Sequence, residues 1–308
     1  MRDERGQSTV EWVALLLLVA LSLAGLVAAG IRVPGTALAR ALASRILCAA
    51  SLADSCGGDE PELIAAYGTE VGKLVRQHMP SLLFERGSRA VPVDFRRCRS
   101  TECGDAPSHG YVRRTDAGLP VSAFVHVVDC RPDAAERSED EEEDCSDKRA
   151  GNLYLQYWTY YADSATLRGI PIAGREGFHP DDWEGVQIRI GPNGGVDERA
   201  SSHDGYNYEQ GTANWGSDIG AAALRDLAET AGIRPDDGWG PETHMLFVSG
   251  GSHAGNAFDV RSIERLTPRS RVHLIPLEPI AATSEARFAI SPPWQKEVWR
   301  DPEAEGTG

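Results

Sequence analysis

The stretch His179-Pro180-Asp181-Asp182-Trp183-Glu184-Gly185-Val186-Gln187-Ile188-Arg189-Ile190 sets an imidazole and three carboxylates directly upstream of a strand pattern. Side chains alternate across a strand, so Asp182 and Glu184 fall on the face of Val186, Ile188 and Ile190, the apolar and buried one. A buried carboxylate without a partner shifts its pKa or costs several kcal/mol, so a cation, an arginine or a group of hydrogen bonds must stand beside these two. His179 lies where a loop folds it over the same spot. Oxygen ligands with one imidazole suit Mg²⁺, Mn²⁺ or Ca²⁺ better than a closed zinc site. The alternative is that Arg168, Arg175 or backbone amides satisfy both acids.

Outward from this stretch, Val121 to Val128, Leu153 to Tyr161 and Met245 to Val248 are short runs rich in β-branched and aromatic residues, separated by Gly, Pro, Asn and Asp. They predict a mainly β fold over residues 91–300, an antiparallel β-sandwich with a few peripheral helices. Helices are expected over Val33 to Ile46, Pro61 to His78 and Ser217 to Ala231. In the second, proline stands first and Leu63, Ile64, Tyr67, Val71, Leu74 and Val75 form one stripe. Residues 33–90 thus read as a helical stalk or linker, and 301–308 as a disordered tail. Two loops of small residues, around Ser202-His203 and Ser252-His253, each present a histidine.

The N-terminal region sets the compartment. Trp12 to Ile31 is a run of 20 residues without charge, enough at about 1.5 Å each to cross about 30 Å of hydrocarbon. A transmembrane helix over 12–32 is expected to precede the folded region, with 1–11 as a cytoplasmic leader. A cleaved secretory signal ending near Ala28 to Gly30 is the alternative. All six cysteines follow the span, in loop-like stretches and without any C-x-x-C. Disulfides in an oxidising compartment are the expected use, paired in order as Cys48 with Cys56, Cys98 with Cys103 and Cys130 with Cys145, and reduced thiols are the alternative. The chain is therefore expected at the cell membrane, single-pass, with its C-terminal region extracellular. A net charge of −15 removes the electrostatic basis for nucleic-acid binding.

Gly6-Gln7-Ser8-Thr9-Val10-Glu11, followed directly by the apolar run, resembles the processing site of type IV and Flp-type prepilins and of TadE-like pseudopilins. The resemblance implies cleavage after Gly6, Gln7 as the mature N-terminus, Glu11 at the fifth mature position, and pilus-like subunits as partners. Ala20, Ala24 and Ala28 form a face on which a second helix packs closely. A plain anchor with Glu11 at the headgroups is the alternative.

The ordered series Gln156-Tyr157-Trp158-Thr159-Tyr160-Tyr161, His179-x-x-Asp182-Trp183-Glu184, Ser202-His203 and Gly251-Ser252-His253-Ala254 resembles the vacuolar protein sorting-associated protein 62 family. It is similar, more distantly, to the necrosis- and ethylene-inducing-like proteins. These resemblances imply a β-sandwich with a divalent cation in a surface cavity. They place His179, Asp182, Glu184 and, more loosely, Asp163 at the metal, with His203 and His253 in the same cavity. Trp158, Tyr161 and Ser252 are expected to line it, and Trp158, Tyr206, Tyr208 and Trp215 are candidates for stacking on a sugar.

Three functions fit. The preferred one is a binding module that recognises a glycan or a lipid headgroup through the cation. A metal-dependent hydrolase would use His203 or His253 to move protons. A serine hydrolase would use Ser252 in a G-x-S-x-G-like turn, but Ala254 replaces the second glycine and the turn requires a following helix.

Overall fold

The computed structural model describes residues 61–86, 88–132, 144–164, 179–202, 205–207, 238–259 and 262–304. The leader, the span expected at 12–32, Cys48, Cys56, His203 and the helix expected at 217–231 lie outside the described residues. Among the described residues no helix is long and apolar enough to cross a membrane.

Helix α1 spans Pro61–His78, but Gly68, at φ 77° and ψ 169°, breaks it into two pieces. Only glycine takes this backbone cheaply. The strands follow as β1 (Ser81–Glu85), β2 (Gly110–Tyr111), β3 (Ser122–Asp129), β4 (Leu153–Ser164), β5 (His179–Ile190) and β6 (Val196–Ser202). Then come β7 (Gly205–Asn207), β8 (Gly240–Pro241), β9 (Met245–Val248), β10 (Gly255–Asn256), β11 (Ile263–Thr267) and β12 (His273–Pro276). Two short helices, α2 (Thr101–Gly104) and α3 (Glu278–Thr283), are peripheral.

The strands form two sheets, ordered β10-β9-β1-β11-β2 and β12-β3-β4-β5-β6-β7, with β8 beside β6. Both are mixed, which corrects the expectation of an antiparallel sandwich. The pairs β1/β9, β11/β2 and β12/β3 run parallel. A parallel pair cannot be closed by a hairpin, so each joins segments far apart in the chain.

One apolar cluster draws on both sheets and on the helix: Leu82, Phe84, Leu246 and Val248 meet Val125, Leu155, Tyr157, Val186 and Ile188, with Leu63 and Val75 from α1. The compact unit runs from Asp59 to Gly308, so α1 and β1, read from sequence as stalk, contribute to the core. A second cluster lies on the other face of the large sheet, where Phe124, Trp158, Tyr160 and Trp183 pack with Phe95, Ile280 and Val298. Both faces of β4 are therefore covered, which explains its unbroken run of bulky residues.

That outer face also carries a polar row. Cross-strand pairing sets His126, Gln156, Gln187 and Arg199 side by side on β3, β4, β5 and β6. All four are at least 97% buried, with Arg199 at 0% exposure. Gln187 donates to the Tyr206 hydroxyl at 3.3 Å and accepts from Arg199 Nε at 2.8 Å, and the C-terminal segment meets the other three. His126 Nε2 lies 3.0 Å from the Trp299 carbonyl and Gln156 Nε2 donates to Val298 O at 2.7 Å. Arg199 donates to the carbonyls of Pro302 and Ala304 at 2.8 and 3.0 Å, and its guanidinium lies over Tyr206 at 3.9 Å. Glu303, with no exposed side-chain surface, accepts from Tyr154, Arg189 and Trp239. The disordered tail expected from 301 is thus corrected for residues 301–304, because the sheet face beneath them needs acceptors.

Two disulfides join neighbouring cysteines, Cys98–Cys103 with a Cα separation of 5.8 Å and Cys130–Cys145 with 5.2 Å.

Glu303 supplies a pH test. Burial alone would raise its carboxyl, but hydrogen bonds from Tyr154 and Arg189 outweigh burial and hold it below the usual range. Its contribution is therefore complete above the unfolded carboxyl pKa and lost as pH falls through the lower folded value. Glu303→Gln should cost about 1.5–3 kcal/mol at neutral pH and flatten the acid limb of a stability–pH curve measured by urea unfolding. Identical curves for both proteins would show that no ionised Glu303 holds the segment.

Candidate functional site

The inward face of β4 and β5 stays apolar along most of its length and turns acidic at one end. Register pairs Thr159 with Glu184, Tyr161 with Asp182 and Asp163 with Pro180, so Asp163, Asp182 and Glu184 share the face that continues into Tyr157 and Val186. The face expected for Asp182 and Glu184 is the one observed.

Asp182 Oδ2 lies 2.8 Å from His253 Nδ1, and these side chains are 7% and 5% exposed. The His253 ring stacks on Tyr161, with centroids 3.9 Å apart and planes 4° from parallel. The Tyr161 hydroxyl is buried and finds no partner of hydrogen-bonding geometry. His179 Nε2 stands 3.9 Å from Asp182 Oδ1, beyond a hydrogen bond. Glu184 Oε2 accepts from Ser201 Oγ at 2.7 Å, and Ser201 Oγ accepts the Gly185 N–H. Burial pushes the Glu184 carboxyl well up, the Asp182 charge adds to this, and the Ser201 hydrogen bond and Lys296 oppose it. Burial likewise raises Asp163, against the neighbouring His253 and with Asp182 adding.

His253 arrives from the turn between β9 and β10, where Gly251 has φ 89° and His253 itself φ 56°. The turn can sit this low because Gly255 has no side chain. A Cβ there would stand 3.0 Å from Leu246 Cδ1, 3.1 Å from Ala200 Cβ and 3.3 Å from Ser201 O. Left-handed backbone at a non-glycine residue costs of order 1–3 kcal/mol and persists only where the surroundings enforce it. Asp181, at φ 61°, is a second such residue.

The third acid of the motif serves another purpose. Asp181 points to the outer face, where Tyr160, Arg99 and the Ala289 N–H bind it at 2.7, 2.7 and 2.9 Å. Burial would raise it, but these partners hold it below the ordinary range. Arg99 therefore compensates Asp181, whereas Arg168 and Arg175 lie outside the described residues.

Of the expected cavity residues, Asp182, Tyr161 and His253 are in contact, with His179 3.9 Å from Asp182, while Glu184 and Asp163 lie on the same face to either side of them. Trp158 is corrected to the outer face, where its Nε1 donates to Gln156 and its ring covers Gly185. Period-two alternation separates it from Tyr157, Thr159 and Tyr161. Tyr206 also faces outward, under Arg199. Ser252 is half-buried and the chain enters β10 after it, so no helix follows as a nucleophile turn requires. Ser201 was missed as a partner of Glu184 because a serine in a strand carries no distinctive pattern.

Among the described residues, the one group of three or more His, Cys, Asp or Glu side chains with ligand atoms all within 4.8 Å of one another is His78, Glu242 and His244, away from Asp182, and it could hold a metal ion. His78 stands 164 positions from Glu242, so the short Glu242-x-His244 spacing alone does not mark the group.

No family model matches the sequence, and no curated protein matches it. The solved structure of NLPPya in complex with glucosamine is similar at a TM-score of 0.35 and 14% identity, over 75% of this chain and 87% of that one. A likeness this low carries no argument.

Gly255→Ala should cost about 1–3 kcal/mol through overpacking and lengthen the His253 to Asp182 contact in a crystal structure of the variant. Gly195→Ala, with nothing within 4 Å of the new Cβ, should stay within about 0.5 kcal/mol. Equal stability of the two variants would remove the close approach at Gly255 as the device that seats His253.

Proposed function

We propose that this chain is a membrane-anchored, extracytoplasmic binding protein. Its cluster of Asp163, Asp182, Glu184, His179 and His253 holds a hard divalent cation, Mg²⁺, Ca²⁺ or Mn²⁺, through which it recognises a hydroxyl-rich sugar. The observation that supports the reading is the placement of three carboxylates on one face of two neighbouring strands, with Asp182 buried against His253. Such a group is costly without positive charge, and a cation bound by oxygen ligands relieves both repulsion and burial. Vicinal hydroxyls then complete the coordination, on either a free glycan or the sugar headgroup of a lipid. The two local disulfides suit an oxidising compartment, and the apolar run at 12–32 supplies the anchor. A pilus-like assembly follows the same logic through Gly6, Gln7 and Glu11.

The Asp182–His253 pair favours one further reading, a metal-dependent hydrolase in which the carboxylate orients the imidazole for proton transfer. Release of product from the bound sugar ligand would distinguish it from simple binding.

The test is a thermal melt of the full chain in detergent with Mg²⁺, Ca²⁺ or Mn²⁺ and again after chelation. A bound ion adds about 2.7 kcal/mol to the unfolding free energy by mass action at a concentration 100 times Kd, and so raises the melting temperature. Asp182→Asn and Glu184→Gln should each lose this increment while keeping the chelated melting temperature within a few degrees. Binding to oligosaccharide arrays and to glycolipid vesicles then separates the two ligand sources. No ion-dependent shift in the unaltered protein would end the cation reading.

A further inference from the structure

The group His78, Glu242 and His244 uses none of the residues of the Asp182 cluster, and its origin is topological. Strands β1 and β9 are parallel neighbours with Ser81 opposite Met245. The chain therefore enters both strands from the same side, and the Ser81 N–H donates to the His244 carbonyl at 2.9 Å. His78, the last residue of α1, precedes one strand by three positions, and Glu242 and His244 immediately precede the other.

Glu242 Oε1 lies 2.7 Å from His78 Nδ1 and 3.0 Å from His244 Nδ1. Both imidazoles thus turn the same nitrogen toward one carboxylate oxygen. The side chains of His78 and Glu242 are 6% and 8% exposed, whereas that of His244 is 47% exposed. Ligands of a tetrahedral zinc ion, with bonds of about 2.0–2.1 Å, stand about 3.4 Å apart. The two separations from Glu242 therefore need to open by about 0.7 and 0.4 Å, and the ligand atoms all already lie within 4.8 Å of one another.

Two further features hold it in place. Thr243, between the two ligands, is clamped by the fully buried Glu198, whose Oε2 accepts its N–H at 2.8 Å and lies 3.0 Å from its hydroxyl. The other Glu198 oxygen is buried without a hydrogen-bond partner. His244 takes φ 58°, a conformation that a structural loop would more cheaply give to glycine.

We propose that His78, Glu242 and His244 bind a borderline divalent transition-metal ion of the Zn²⁺ class, with the fourth position open to solvent on the His244 side. Two imidazoles and a carboxylate select such an ion over Mg²⁺ or Ca²⁺, which prefer all-oxygen shells. Binding replaces the protons on the two Nδ1 atoms, so it requires both imidazoles neutral. The ion ties the end of α1 to the start of β9, an interior strand of the small sheet.

The experiment titrates the tag-free full chain in detergent with Zn²⁺ by calorimetry, and with Co²⁺ by visible absorption to report coordination geometry. One equivalent is expected, with tetrahedral cobalt bands and a Zn²⁺-dependent rise in melting temperature. His244→Asn, chosen because asparagine tolerates the left-handed backbone, and Glu242→Gln should each weaken binding by more than about 10-fold. Circular dichroism of both variants without metal should match the parent. Asp182→Asn should leave Zn²⁺ affinity unchanged while removing the Mg²⁺, Ca²⁺ or Mn²⁺ response. Undiminished Zn²⁺ affinity in both triad variants, loss of it in Asp182→Asn, or absence of any Zn²⁺ effect would each overturn the assignment.

Discussion

Burial of His126, Gln156, Gln187 and Arg199 in one row across the large sheet is the constraint from which much of the architecture follows. A fully buried guanidinium and two buried amides are tolerable only if each donor finds an acceptor. Neighbouring strands meet part of this need, since Arg199 Nε donates to Gln187 and Gln187 to the Tyr206 hydroxyl, but their carbonyls are spent on one another. The chain returns at its end and offers the carbonyls of Val298, Trp299, Pro302 and Ala304. The same return brings Val298 and Trp294 over the outer aromatic cluster. Outer and inner faces of the sheet are thereby sealed by different means, polar clamping on one side and sheet-on-sheet apolar packing on the other.

With the outer face closed, the inner face has room for an exception. Along β4 and β5 the inward positions run from Leu153, Leu155 and Tyr157 to Tyr161 and Asp163, and from Ile188 and Val186 to Glu184 and Asp182. The apolar stretch anchors the strands, and the polar end gathers charge where the second sheet contributes only a turn. That turn presses His253 against Tyr161 and Asp182 because Gly255 permits close approach. Left-handed backbone at Asp181, His244 and His253 falls beside one or other of the two candidate ion sites. Strain of this kind is retained where the surroundings over-determine a side chain's position.

Much of this was legible from local pattern. The face of Asp182 and Glu184 followed from alternation alone, since a period of two cannot be satisfied by turning only part of a strand. Proline at the start of α1 and the pairing of adjacent cysteines in two disulfides rest on equally short-range rules. Other readings failed where two signals looked alike. Trp158 and Tyr161 both belong to one aromatic run on a strand buried on both sides, and such a run does not reveal which face holds the site. Asp181 and Asp182 are neighbours of the same type, yet one meets Arg99 and the other His253.

The sequence by itself determined quantities that depend on neighbours within a few residues. These are the mainly β character and the inward direction of Asp182 and Glu184. Only the tertiary structure decided which strands run parallel, what clamps the buried polar row, and which histidines converge. The reason is that these outcomes join residues such as His78 and Glu242, or Arg199 and Ala304, across more than one hundred positions. Contacts at that separation are set by the packing of whole sheets, and no local spacing records them.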